Sequence, residues 1–381
     1  MGGVKLKKIL HIPNYYNPHI GGIEQTCEDF VNSIKEEYEQ KIICFKDSKK
    51  TSIDNINNVE VIRVGCQTKI MSQSIALGYK KELKKVFDSF NPDIVVFHYP
   101  NPYVAFALLK HLKNKKFKFI LYWHLDITKQ KLLGKLFSGQ TKKLLNYADK
   151  IVTTSYNYVG GSNYLPTYYD KIKVINSCVA LDRTLVDENI ILKANLIKNK
   201  FKNKNLIFTF GRHVEYKGFI YLIEASKYLN DDFKILIGGS GPLTKKFRKK
   251  IKNDEKVELL GKLPLDDLKA YLIACDIFSF PSITRNEAFG LSLAEAMSFS
   301  KPAVTFNIEG SGVNFIALNG YNAIEVANKD SKLYAKAIER LASDKKLNEM
   351  MSLNAKKRYE KYLTFDVFKD NIKKLLIELG E

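Results

Sequence analysis

Apolar and polar positions follow two rhythms along this chain. Lys8–Ile12, Lys41–Phe45, Val59–Val64 and Ile94–His98 are short runs dominated by Ile, Val, Leu and Phe, as expected of strands covered on both faces. Between them, apolar residues recur at helical spacing over Ile23–Ile34 and Ser74–Phe90. In the second segment Leu83, Val86, Phe87 and Phe90 form one seam, and Asn91-Pro92-Asp93 ends it. A helix over Tyr103–His111, a strand over Phe117–Trp123, a helix reaching Ala148 and a strand at Ile151–Thr154 continue the alternation. Repeated βα units of this kind predict a parallel sheet with helices on both faces.

The rhythm breaks over Leu181–Lys204, a polar helical stretch ending Lys-Phe-Lys-Asn-Lys. A second series follows. Strands are expected at Asn205–Phe210, Phe233–Gly238, Val257–Leu260, Ile277–Phe280 and Pro302–Phe306. Helices are expected at Phe219–Leu229, Leu243–Lys252, Leu265–Cys275, Ser331–Leu341, Lys346–Tyr362 and Phe365–Leu379. Two doubly wound α/β domains account for this pattern, with ligands at the carboxyl ends of the strands and a cleft between the domains.

A length of 381 residues also favours two domains. The chain carries 61 basic and 41 acidic residues, a net charge of +20. That balance favours an anionic partner: nucleic acid, an anionic membrane surface or a phosphorylated substrate. Aromatic–basic segments, zinc-finger spacings and a helix-turn-helix are lacking, which argues against nucleic acid. Cys27, Cys44, Cys66, Cys178 and Cys275 are scattered without a CxxC pair, as in a reducing compartment. No apolar run approaches the ~18–20 residues of a membrane span. The start of the chain lacks a signal-peptide core, and Gly2 is not followed by the Ser or Thr of a myristoylation site, since position six is Leu6. A cytoplasmic protein, peripheral at most on the inner face of a membrane, is the expectation.

Several strand ends carry chemistry. The loop Pro13–Gly22 holds the pair Gly21-Gly22 before a helix, where backbone can approach a phosphate. It is not the GxGxxG dinucleotide fingerprint. His124 follows the strand Phe117–Trp123 and can hydrogen-bond a sugar hydroxyl. His98 is a second candidate of the same kind. Histidine spacings of metal sites such as HExxH are missing. Arg212 and Lys217, in Gly211-Arg212 and Lys217-Gly218, lie across a turn where they can clamp a diphosphate. Gly239 and Gly241 make a glycine-rich turn. Glu287 stands in the loop after Pro281, and Glu295 lies within the helix beginning near Leu291. Eight residues at about 100° each leave roughly 80° between the two carboxylates, so both can face one site. No Asp-x-Asp occurs; cationic side chains and a helix N-terminus then replace a bridging metal at a diphosphate.

Taken together, these segments resemble one family. Glu287-Ala-Phe-Gly-Leu-Ser-Leu-Ala-Glu295 is similar to the E-x7-E signature of the retaining glycosyltransferases that include sucrose and glycogen synthases and bacterial mannosyltransferases. Gly211-Arg212 with Lys217-Gly218, Gly239-Ser-Gly241-Pro and the Gly21-Gly22-Ile-Glu loop resemble further motifs of that family, in the same order. Tyr122–Lys131 and Gly310–Phe315 resemble its bacterial surface-polysaccharide members, the family 4-like type. Ala288 stands between Glu287 and Phe289, where that family more usually has another small or polar residue.

The resemblance implies a GT-B fold: two Rossmann-like domains with parallel sheets facing an interdomain cleft. It implies an acceptor domain over 1–184, a donor domain over 185–363 and a last helix, 364–381, packing back on the first. By the same resemblance, Arg212 and Lys217 hold the diphosphate of a UDP- or GDP-sugar, Glu295 binds its ribose, and Glu287 lies at the transferred sugar. Phe289, Gly290 and Leu291 cradle sugar and phosphate through backbone. Gly21 and Gly22 approach the phosphates, His124 contacts the sugar, Gly239 and Gly241 approach the nucleotide, and Lys262 and Leu263 line the base. The implied reaction is glycosyl transfer with retained configuration, without metal or other cofactor, onto a saccharide or lipid-linked acceptor. Glu287 is either a nucleophile or an electrostatic stabiliser. The alternative is a non-catalytic partner subunit that binds nucleotide sugar or glycan. An epimerase on the same fold is expected to lack this form of the E-x7-E helix.

Lysines crowd between Lys110 and Lys150, opposed only by Asp126 and Asp149, and Lys81, Lys84 and Lys85 share one helix face. Docking of the acceptor domain on anionic lipid is the corresponding expectation.

Overall fold

The computed structural model describes residues 6–19, 21–70, 73–127 and 131–380. Gly2, Ile20, Thr128–Gln130 and Glu381 therefore lie outside the described residues. The chain divides into two units, one of 1–176 with 368–381 and one of 177–367. The boundary expected at 184/185 compares with this division at 176/177.

In the first unit the strands are β1 Lys8–Ile12, β2 Glu39–Lys46, β3 Ser52–Ile56, β4 Val59–Gly65, β5 Thr68–Ile70, β6 Gln73–Ile75, β7 Ile94–Tyr99, β8 Lys118–Trp123, β9 Lys150–Thr153 and β10 Ile172–Val174. Helices α1 Gly22–Ser33, α2 Tyr79–Phe90, α3 Pro102–Leu112, α4 Lys131–Tyr147 and α5 Tyr156–Gly161 intervene. The main sheet runs β10-β9-β8-β7-β1-β2-β4-β3 and is parallel except at β3. Its central strands are buried along their whole length, as β7 shows, because helices cover both faces.

Two parts of this unit differ from the sequence reading. Residues 73–75 pair with β5 as an antiparallel ladder, so the helix expected from Ser74 begins only at Tyr79. The amide of Tyr79 donates to the Ala76 carbonyl and closes the intervening turn. The second difference is β3, an antiparallel edge strand joined to β4 by Asn57 and Asn58, both at positive φ. A two-residue turn of that conformation is what tightly joined antiparallel strands require, and adjacent asparagines are its sequence signal. The hairpin fixes the loop after β1. Arg63 on β4 is 2.5 Å from Asp54 on β3, and its guanidinium donates to the carbonyls of Tyr16 and Asn17.

In the second unit the strands are β11 Asn205–Phe210, β12 Phe233–Gly238, β13 Val257–Gly261, β14 Ile277–Phe280, β15 Ala303–Phe306 and β16 Ala323–Val326. They form an all-parallel sheet in the order β13-β12-β11-β14-β15-β16. Helices α6 Glu188–Lys200, α7 Phe219–Ala225, α8 Thr244–Lys250, α9 Leu265–Ala274, α10 Leu291–Ser298, α11 Val313–Ile316, α12 Ser331–Ser343 and α13 Lys345–Tyr362 accompany it. The last helix, α14 Phe365–Glu378, belongs to the first unit from Phe368 onward. There Lys373 pairs with Glu37 at 2.6 Å, and Glu378 meets Lys173 and Lys150. The strand order reverses at β11/β14, and the space beyond the carboxyl ends of such a pair is where doubly wound sheets bind ligands.

The loops above this switch point hang from rigid strands. Tyr334 of α12 is fully buried; its hydroxyl donates to the Val304 carbonyl at 2.6 Å and meets Ser279 Oγ at 2.9 Å. It therefore ties β14 to β15. Removing the hydroxyl strands two buried partners. Tyr334→Phe is expected to lower stability by about 1–3 kcal/mol in urea denaturation, without changing the secondary-structure content seen by circular dichroism.

Candidate active site

Strand β14 is apolar and fully buried, and Pro281 ends it. The chain then turns through Ser282–Phe289 before α10. Gly290 caps that helix at φ 102°, a left-handed conformation that glycine adopts without penalty. A Cβ there would also sit 3.2 Å from the Phe280 ring. Phe289 and Leu293 enter the core with Phe280 and Val313. This packing fixes the direction in which the first-turn N–H groups of α10 point, the positive end of the helix.

Glu287 is buried at the centre of this loop. Its carboxylate lies 2.5 Å from Lys217 Nζ, which comes from the turn after β11. Ser282 Oγ donates to the same oxygen at 3.1 Å. The Glu287 carbonyl accepts from Ser311 Oγ at 2.5 Å, and the Gly312 amide donates to the Ala288 carbonyl at 3.0 Å. The acid is thus held at both ends. Lys217 is only 13% exposed and lies over the rings of Phe280 and Tyr216. Burial works against its charge, but Glu287, Tyr216 and Glu295 outweigh that and raise its pKa.

Glu295, on α10, has a partner that no local pattern announced. Arg183 Nη1 lies 3.0 Å from its carboxylate. Burial raises the Glu295 pKa, opposed chiefly by Arg183. Arg183 stands in the stretch read from sequence as a polar break, and no motif links it to a residue more than a hundred positions away.

The remaining residues singled out in the sequence fall as follows. Arg212 follows β11 and is exposed, while Lys217 is engaged by Glu287. At Gly239 a Cβ would lie 2.0 Å from the Gly211 carbonyl oxygen, and at Gly241 one would lie 2.7 Å from the His213 backbone. Close packing of two strand-end turns already accounts for both glycines. Lys262 is exposed beyond β13, whereas Leu263 packs into the core and lies against Gly238. Leu291 is half-buried at the start of α10.

In the first unit, Gly21 caps α1 and Gly22 is its exposed first residue. The Glu24 carboxyl folds back over Gly21 and onto its own backbone N–H. It occupies the helix head that the sequence reading assigned to phosphate. Burial raises the Glu24 pKa. His124 follows β8, and its Nε2 lies 2.9 Å from His98 Nδ1 on β7. Tyr122 stacks on both imidazoles. Burial lowers the His124 pKa to about 3. Donor atoms of His11, Cys27 and His98 lie within 4.8 Å of one another. A tetrahedral zinc ion would draw such atoms to about 3.5 Å apart.

Comparison with known proteins gives this arrangement its context. The family described as "Glycosyl transferases group 1" matches residues 193–358, and "Glycosyl transferase 4-like" matches residues 8–155. The chain belongs to these glycosyl transferases. The transferase is 27% identical to the O-antigen chain mannosyltransferase C of Escherichia coli, over 94% of this chain and 95% of that protein. It is 25% identical to the D-rhamnosyltransferase WbpZ of Pseudomonas aeruginosa, over 94% of this chain and 92% of that one. The transferase has the fold of Anabaena Alr3699/HepE, solved with UDP and glucose, at a TM-score of 0.78 and 16% identity, covering 97% and 99% of the two chains. Its fold is GT-B.

The Lys217–Glu287 pair sets a pH dependence. A raised lysine pKa means that the pair's contribution is fully present below the unfolded value of 10.5 and is lost as pH rises through the folded value. In urea denaturation, the stability difference between the wild type and Lys217→Met/Glu287→Gln is expected to stay level from neutrality towards pH 10.5 and to move against the wild type above it. Lys217→Met alone leaves a buried carboxylate without its cation and is expected to cost roughly 3 kcal/mol near neutrality.

Proposed function

We propose that this transferase moves a sugar from a UDP- or GDP-sugar to a membrane-associated or lipid-linked saccharide during bacterial surface-polysaccharide synthesis, retaining the anomeric configuration. The observation that carries the reading is the buried Lys217–Glu287 pair above the β11/β14 switch point, beside the head of α10. A diphosphate at that position meets Lys217, the neighbouring Arg212 and the first-turn amides of α10, which together neutralise a departing anion. Lys217 exchanges part of its contact with Glu287 for the phosphate, and Glu287 remains as the negative group at the sugar. Glu295, oriented by Arg183, accepts hydrogen bonds from ribose hydroxyls. His124 contacts a sugar hydroxyl. The backbone of Phe289, Gly290 and Leu291 serves sugar and phosphate. Charge stabilisation and alignment supply the rate, and no divalent ion takes part. The names of the mannosyl- and rhamnosyltransferase relatives and the UDP and glucose bound by the structural relative support this reading.

The test begins with thermal shifts against UDP, GDP and ADP, since a bound nucleotide raises the melting temperature. Glu287→Ala is expected to keep the nucleotide-induced shift and to lose at least about a hundredfold in sugar transfer. Lys217→Ala is expected to weaken both. Transfer is expected to persist in excess EDTA; loss restored by magnesium or manganese would contradict the metal-free reading, and full activity of Glu287→Ala would remove that residue from the chemistry.

The acceptor side fits an anionic bilayer. Among the described residues no helix is long and apolar enough to cross a membrane. A mixed apolar and basic patch lies on the first unit instead. Leu77 is 79% exposed and Phe106 66% exposed. Tyr103 of α3 bonds the Ala76 carbonyl beside Leu77 at 2.6 Å, and Lys80 and Lys110 meet closely enough for Lys110 to lower the Lys80 pKa. Exposed like charges beside exposed apolar tips suit anionic headgroups over acyl chains. Lys129 and the side chains of Lys131 and Lys135 lie outside the described residues. In co-sedimentation, the wild type is expected to bind phosphatidylglycerol vesicles and to leave phosphatidylcholine vesicles free. Lys80→Glu/Lys110→Glu is expected to weaken that binding at least about tenfold. Binding indifferent to lipid charge and salt would defeat the idea.

A further inference from the structure

His98 is a buried group that the proposed chemistry leaves without a task. It lies near the carboxyl end of β7, wholly buried, opposite Tyr122 of β8 in the sheet register. Its ring is stacked on Tyr122 and lies edge to edge with that of His124, within 15° of parallel to each. Nδ1 is 2.9 Å from His124 Nε2, and Nε2 is buried with no partner among the described residues. Burial lowers the pKa of both histidines, so each ring carries one proton near neutrality.

One proton therefore lies between the rings, and its owner decides what His124 presents outward. If His124 donates, His98 must keep its own proton on Nε2, as a buried N–H without a hydrogen-bond partner among the described residues. Orphaned buried N–H groups are rare because the lost bond to water is not replaced. If His98 donates from Nδ1, Nε2 is left as a bare lone pair, and His124 carries its proton on Nδ1. That nitrogen has no partner among the described residues, and 6% of His124 is exposed.

We propose that His98 is a positioning residue that locks His124 in the Nδ1–H form, so that His124 presents a fixed hydrogen-bond donor to a saccharide oxygen. The value of this donor to transfer rests on the reading that His124 touches the sugar; the tautomer does not. The Nδ1–H form lets His124 donate to a hydroxyl or ring oxygen while remaining uncharged. The stack with Tyr122 holds the ring plane, and the His124 amide bonds the Tyr99 carbonyl at 3.1 Å, which holds the backbone. The task of His98 resembles that of a group orienting a catalytic imidazole, where the wrong tautomer costs activity with the geometry intact.

The direct test is nitrogen-15 NMR of histidine-labelled protein at neutral pH, with His98→Asn and His124→Gln used to assign the signals. A protonated Nδ1 and a bare Nε2 on His124 are expected; the reverse pattern overturns the proposal. The second arm follows nucleoside diphosphate release from UDP-glucose and GDP-mannose in the presence of acceptor glycolipid. His98→Leu is expected to lower kcat roughly tenfold to a hundredfold while the nucleotide-induced thermal shift stays unchanged. His98→Asn, whose amide can donate from the Nδ1 position, is expected to recover most of the loss. Equal activity of His98→Leu and wild type overturns the positioning role. A fully active His124→Gln with the expected NMR pattern overturns the sugar contact instead, which separates the two failures.

Discussion

The second unit is organised around a buried ion pair that the sheet topology forces into being. Lys217 leaves β11 and Glu287 leaves β14, and these strands are neighbours although their sequence positions are far apart. A buried lysine or carboxylate alone is costly, so each needs the other while no ligand is present. Ser282, Ser311 and the Gly312–Ala288 backbone bond hold the acid from three sides. The result is a preorganised charge arrangement with one movable member, the lysine, whose flexible stem lets its ammonium answer an incoming anion.

The same economy explains the strand-end turns. Gly239 and Gly241 bring their backbones against Gly211 and His213 at distances no side chain allows. The turns after β11 and β12 thereby form one rigid platform, and the positions of Arg212 and Lys217 follow from it. Close backbone packing and close approach to a phosphate both require glycine, so the motif letters alone do not separate them. The first unit uses another device at adjacent strand ends, where His98 and His124 are joined by one nitrogen-to-nitrogen hydrogen bond and Tyr122 stacks against both rings.

Much of this was legible in the chain. Buried parallel strands read as uninterrupted apolar runs, so β1, β7, β11 and β14 stood out within a residue or so of their observed limits. The Glu287–Glu295 segment was recognisable because a strand, a glycine junction and an amphipathic helix are local patterns. Edge elements were less legible. β3 and β16 have weaker apolar runs, and the pairing of residues 73–75 with β5 overrode a helical pattern that continued into α2. The paired asparagines at 57 and 58, which tolerate positive φ, are a local signal of the β3–β4 hairpin that the reading of apolar periodicity passed over.

Sequence by itself determined the two doubly wound domains, the strand ends that carry polar chemistry, and the family resemblance. Each depends on short-range periodicity or on motifs a few residues long. The tertiary structure alone decided who pairs with whom: Lys217 with Glu287, Arg183 with Glu295, His98 with His124, and Arg63 with Asp54 and the loop after β1. It also decided that Leu263 faces the core and that the Glu24 carboxyl covers the head of α1. Desolvation and electrostatic partnership act through space between elements brought together by strand order, and the spacing of residues along the chain holds no record of those distances.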